Sequence, residues 1–109
     1  MTSIEIPAPV QRYLDADASG NDELLAQCFT ADARVLDEHR IIEGPDAITA
    51  WKQASRQKYR YTVEPLTVSQ EGDTARLTAR VSGTFPGSPA ELGYRFVLRD
   101  ERIAELEIG

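Results

Sequence analysis

Tyr59-Arg60-Tyr61-Thr62-Val63-Glu64 is the stretch where the hydrophobic period of this chain changes. Before it, Ile48, Trp51 and Ser55 recur at i, i+3 and i+7, the spacing of one helical face. Within it, Tyr59, Tyr61 and Val63 alternate with Arg60, Thr62 and Glu64, the spacing of a half-buried strand. The alternation persists through Ala75, Leu77, Ala79 and Val81, then Leu92, Tyr94, Phe96 and Leu98, then a last strand over residues 102–108. Helices followed by a run of long antiparallel strands define an α+β fold.

Towards the N-terminus, Pro7 and Pro9 punctuate a tail expected over residues 1–8, leaving a single domain over 9–109. Pro9 suits the first turn of a helix, and Val10, Tyr13 and Leu14 carry the helical period to about Asp17. Ser19-Gly20-Asn21 breaks it. Asn21 or Asp22 caps a second helix, Glu23–Phe29, striped by Leu24, Leu25 and Phe29. A strand is expected at Arg34–Asp37, paired in a small hairpin with Arg40-Ile41-Ile42-Glu43. Gly44-Pro45-Asp46 opens the third helix. Towards the C-terminus, Pro65 cannot donate to a sheet ladder and marks a bulge or bend, and Glu71-Gly72-Asp73 is a turn.

The run into the hairpin places a carboxylate in an unusual position. Ala33, Val35 and Asp37 share one strand face. If the first two face the interior, so does Asp37, and a carboxylate aimed into an apolar interior is either paired or available for chemistry.

Composition narrows the function classes. The chain has 109 residues, 41% hydrophobic and 28% charged, as expected of one small globular domain. The net charge of −6 argues against nucleic acid as a partner, which needs clustered Lys and Arg. A single cysteine, Cys28, rules out an intrachain disulfide and a Cys-rich zinc site, and is expected to be a buried, inert thiol. No apolar run is long enough to span a membrane. The N-terminus lacks the form of a signal peptide, so a cytoplasmic protein is expected.

Three helices, a short hairpin between the second and third, and four long strands resemble the cone-shaped nuclear transport factor 2 superfamily, within it the SnoaL-like and ketosteroid-isomerase-like group. The residues carrying the resemblance are Val10-Gln11-Arg12-Tyr13, Phe29-Thr30-Ala31-Asp32-Ala33, Val35 with Asp37, Gly44 with Ala47-Ile48 ahead of Trp51, and Tyr94 with Phe96 ahead of Arg102-Ile103. The resemblance implies three helices packed on a strongly curved antiparallel sheet around a conical apolar pocket. It also implies a homodimer formed through the outer sheet face, near Arg76, Thr78, Arg80, Arg95 and Val97, and a small apolar molecule as partner. Strand phase adds Val35, Leu77, Ala79, Tyr94 and Phe96 to the pocket wall, and Trp51 is read as pocket wall or plain core.

In that group Tyr13 falls where an oxyanion-hole phenol is placed, and Asp37 where the general base is placed. A carboxylate in an apolar pocket can take a proton from carbon beside a carbonyl, while a phenol O–H donates to the enolate oxygen. The family's second, protonated acid has no counterpart in Leu92-Gly93-Tyr94. The His–Asp pair of SnoaL-like cyclases is also not matched, since His39 follows Asp37 by two residues in a turn. Each candidate keeps a plain structural alternative. Asp37 could cap a turn or pair with Arg40, Tyr13 could be a core tyrosine, and His39 could be an exposed turn residue rather than a proton shuttle. Asp15 and Asp17 near a helix end lack a third metal ligand, so neither a metal nor a cofactor is expected.

Overall fold

The computed structural model describes residues 5–109, so the part of the expected tail formed by residues 1–4 lies outside the described residues. Pro7 stands at the N-cap of α1 (Ala8–Ser19), and Gly20 ends that helix in the left-handed region at φ 69°. Its backbone N–H bonds to the Asp17 carbonyl at 3.3 Å and that of Asn21 to Ala16 at 3.1 Å. The Asn21 side chain then accepts from the Leu24 N–H at 3.0 Å, capping α2 (Asp22–Gln27).

This second helix is shorter than the sequence suggests. Phe29 does not extend the helical stripe but opens β1 (Phe29–Asp37), which is longer than the expected Arg34–Asp37 strand. Pairing with the last strand overrides helical spacing here. The Ile103 N–H takes the Cys28 carbonyl at 2.8 Å, and Phe29 stands opposite Ile103. The hairpin partner β2 (Arg40–Glu43) follows as expected.

The third helix, α3, runs Pro45–Tyr59. Tyr59 therefore ends a helix rather than starting the strand alternation. Arg60 adopts φ 45° as the C-cap, and the Tyr59 carbonyl accepts from the Thr84 N–H at 2.7 Å and the Thr84 hydroxyl at 2.8 Å. Alternation proper begins one step later, in β3 (Thr62–Glu71), β4 (Thr74–Ser82), β5 (Ala90–Arg99) and β6 (Arg102–Ile108).

The strands form one sheet in the order β2-β1-β6-β5-β4-β3. The three helices pack on this curved, unclosed sheet. One pairing departs from the expected antiparallel sheet: β1 runs parallel to β6, which makes the sheet mixed. Of the bulge or bend expected at Pro65, the structure has a bulge, a register shift between Pro65 and Thr67.

The inner sheet face buries Ala33, Val35, Ala75, Leu77, Ala79, Phe96, Ile103 and Leu106 against Val10, Tyr13, Leu25 and Ile48 of the helices. Each Val, Leu, Ile or Phe side chain so buried contributes about 1.5–3 kcal/mol. The outer face is polar. Arg95 bonds to Glu107 at 3.0 Å and lies 3.6 Å from Glu105, while Arg80 meets Glu64 at 3.1 Å. Pairs this exposed add little stability.

Candidate active site

The end of β1, the inner side of α3 and the start of β5 enclose an open cavity of about 500 Å³. Asp37, Trp51, Lys52, Tyr61 and Tyr94 give it polar atoms, and Val81, Leu92 and Ile108 give it an aliphatic wall.

Asp37 reaches this cavity because strand phase carries it onto the face of Ala33 and Val35, both fully buried. Being the last residue of β1, it is half-buried rather than sealed. The Trp51 indole N–H donates to its Oδ2 at 3.2 Å. Burial pushes the Asp37 carboxyl above its ordinary value, the Trp51 hydrogen bond and the Lys52 and Arg40 charges pull it back, and Glu38 adds to the rise. Arg40 stands opposite Asp37 in the hairpin register, yet its pull is the weakest of these influences. The result favours a carboxylate held in place by an indole over one neutralised by a guanidinium.

Of the expected wall residues, Trp51 and Tyr94 line the cavity. Val35, Leu77 and Phe96 do not. Their phase is inward, but they are 0%, 1% and 0% exposed and belong to the buried hydrophobic core. Ala79 is likewise fully buried in that core. Tyr94 stacks on Phe96 with ring centroids 6.2 Å apart, which joins the wall to that core.

Tyr13 is 1% exposed and lies outside the cavity lining. Its ring meets Phe29 and Phe96 edge-on, at centroid distances of 6.0 and 5.6 Å. Its hydroxyl is buried without a hydrogen-bond partner among the described residues. Burial above all, then the charge of Asp17, raises its pKa far above the ordinary tyrosine value, so it stays a protonated donor.

Lys52 was not singled out from the sequence, yet it is the most buried charge of the cavity wall, at 4% exposed. Its Nζ donates to Asp17 Oδ2 at 3.2 Å and to the Tyr61 hydroxyl at 2.9 Å. The Tyr61 hydroxyl in turn donates to Asp17, 3.0 Å from Oδ1. The ammonium also stands 5.1, 4.9 and 5.2 Å from the ring centroids of Tyr13, Trp51 and Tyr61. Burial brings the Lys52 pKa below its ordinary value, and Asp17 offsets only part of that fall. Arg56 joins the far side of the cluster, 3.5 Å from Asp17 Oδ1 and paired with Asp22. One signal was available: Lys52 is four residues after Ile48, and Asp17 four after Tyr13, so both charges lie in apolar helical stripes.

His39 is exposed at the hairpin turn with φ 63° and is not part of the cavity wall. Asp15 is exposed and accepts from Gln11 at 2.9 Å. No metal-binding group of three His, Cys, Asp or Glu occurs among the described residues. Cys28 is buried, its thiol donates to the Leu24 carbonyl at 3.3 Å, and burial raises its pKa.

The SnoaL-like domain model matches residues 10–106, and the chain belongs to the SnoaL-like family. A candidate polyketide cyclase from Sinorhizobium meliloti is 42% identical and superposes with a TM-score of 0.93, covering 95% of each chain. A candidate SnoaL-like isomerase from Agrobacterium tumefaciens is 23% identical over 92% of each chain, with a TM-score of 0.76. A protein of ketosteroid-isomerase-like fold from Catenulispora acidiphila, solved with trimethylamine, is 20% identical, with a TM-score of 0.84 over 96% of this chain and 86% of its own. The last two share the fold alone. No curated protein matches the chain significantly. Among the described residues no helix is long and apolar enough to cross a membrane.

Proposed function

We propose that this SnoaL-like domain is a cofactor-independent isomerase, cyclase or dehydratase acting on a small apolar carbonyl compound, with Asp37 as general base. The observation that carries the reading is Asp37 itself, a half-buried carboxylate on the cavity wall, oriented by Trp51 and raised in pKa by burial. Raising the pKa of a carboxylate strengthens it as a base. In the proposed step the carboxylate takes a proton from the carbon beside the ligand carbonyl. The C–H electron pair moves to the carbonyl oxygen as an enolate, and the proton returns at another carbon or a leaving group departs.

Tyr13 is the proposed hydrogen-bond donor of this step. Its unpartnered hydroxyl supports the role, because a buried O–H without an acceptor is one that a ligand oxygen could satisfy. Trp51 and Tyr94 are the proposed ligand-binding walls, with Val35, Leu77 and Phe96 supporting them from below. We further propose a cytoplasmic homodimer assembled through the outer sheet face, with sedimentation as the test; a monomer at micromolar concentration contradicts it.

A second reading, a non-catalytic binder of small apolar molecules, is favoured by one observation: the Tyr13 hydroxyl is not on the cavity surface. An assay separates the two. Following conjugation of small β,γ-unsaturated ketones by ultraviolet absorbance, Asp37→Asn is expected to lower the rate by about 10²–10⁴-fold. An unchanged rate removes the catalytic reading.

A further inference from the structure

Lys52 has no part in the proton transfer assigned to Asp37. A lysine is almost never buried unless paired, and this one is paired, but incompletely. An ammonium carries three N–H donors. One goes to Asp17 and one to Tyr61. The side chain nevertheless belongs to the cavity wall together with Asp37 and Tyr94. The Asp17 carboxylate does not depend on Lys52 alone, since the Tyr61 hydroxyl lies 3.0 and 3.1 Å from its two oxygens and Arg56 is 3.5 Å away. The cluster thus fixes the ammonium at the cavity wall by two hydrogen bonds and leaves its third N–H without a partner among the described residues.

We propose that Lys52 is an oxyanion-binding group, whose third N–H binds the oxygen of an apolar ligand carrying one weakly acidic oxygen, an enol or a phenol. Asp17 and Tyr61 are the positioning residues, fixing the ammonium by two hydrogen bonds, and the rings of Tyr13, Trp51 and Tyr61 shield it from water.

The inference deepens the base reading and rests on it for the identity of the ligand as an enolate, but the binding claim stands by itself. Charge balance supports the combination. When Asp37 takes the proton from carbon, one negative charge leaves the carboxylate and appears on the ligand oxygen, where Lys52 neutralises it. The net charge of the cavity is unchanged.

The test uses 4-nitrophenol, whose visible absorbance separates phenol from phenolate, and nitrobenzene as the oxygen-anion-free control. The wild-type protein is expected to bind the probe as phenolate at a pH where the free probe is largely protonated. Lys52→Met is expected to weaken phenolate binding by about ten- to a hundredfold, the worth of one hydrogen bond to a charged group, with nitrobenzene binding within twofold. The double variant Asp17→Asn/Lys52→Met removes both charges of the pair and serves if the single variant fails to fold. Probe bound as neutral phenol by the wild type, no binding by the wild type, or phenolate affinity unchanged in either variant overturns the proposal. Asp37→Asn separates the two claims. Tighter phenolate binding together with an unchanged isomerisation rate removes Asp37 as the base and leaves Lys52 as the oxyanion site.

Discussion

The indole of Trp51 donates to Asp37 Oδ2 at 3.2 Å, joining the middle of α3 to the last residue of β1. Opposed influences meet at this carboxylate. Burial raises its pKa, and the indole, by binding the charged form, limits the rise.

Removing the indole N–H therefore shifts the pH dependence. In Trp51→Phe the Asp37 carboxyl loses its largest downward influence, and the activity midpoint on the acid side is expected at higher pH than in the wild type. The pH–rate profile of kcat/KM is the measurement. An unchanged midpoint would show that the indole does not act on the titrating group.

Asp37 also carries a stability signature. Its pKa is raised in the folded protein, so the folded state holds the proton more strongly than the unfolded chain does. The carboxyl therefore favours folding below its unfolded value, and this advantage is lost as pH rises through the folded value. Asp37→Asn is expected to be at least as stable as the wild type at pH 7, with its relative advantage shrinking as pH falls through that window. Urea unfolding at a series of pH values reads the difference.

The buried pair behaves oppositely. Lys52 and Asp17 have side chains 5% exposed each. Replacing Lys52 by Met leaves Asp17 without its nearest cation and is expected to cost about 3 kcal/mol. The double variant Asp17→Asn/Lys52→Met should cost less than the sum of the two single changes. A double-mutant cycle by urea denaturation measures the coupling.

Tyr13→Phe separates stability from function. The change deletes a buried hydroxyl that has no partner among the described residues. Stability is expected to rise by about 1 kcal/mol, the lower end of the cost of an unsatisfied buried group. Turnover is expected to fall if that hydroxyl is the proposed donor. Stability and turnover rising together, or both unchanged, would make Tyr13 a core residue alone.

The order of elements was legible because each rests on local spacing. The Ala33, Val35 and Asp37 face, the caps at Asn21 and Gly20, and the bulge at Pro65 all follow from period or from one residue's backbone limits. Phe29 was misread because long-range pairing with Ile103 overrides a helical spacing. Val35, Leu77 and Phe96 were placed on the correct face, but phase alone cannot say whether an inward residue meets a cavity or a helix. Lys52 was hidden differently. Its partners lie 35 residues before it and 9 after it, and only the closed fold brings Asp17 and Tyr61 to one ammonium.

The central claim is that Asp37 is a cavity carboxylate whose basicity is raised by burial. Carbon-13 NMR titration of its side-chain carboxyl, assigned by comparison with Asp37→Asn, tests it most directly. The expected midpoint lies above 3.8, the ordinary aspartate value. A midpoint at or below 3.8 would contradict the account.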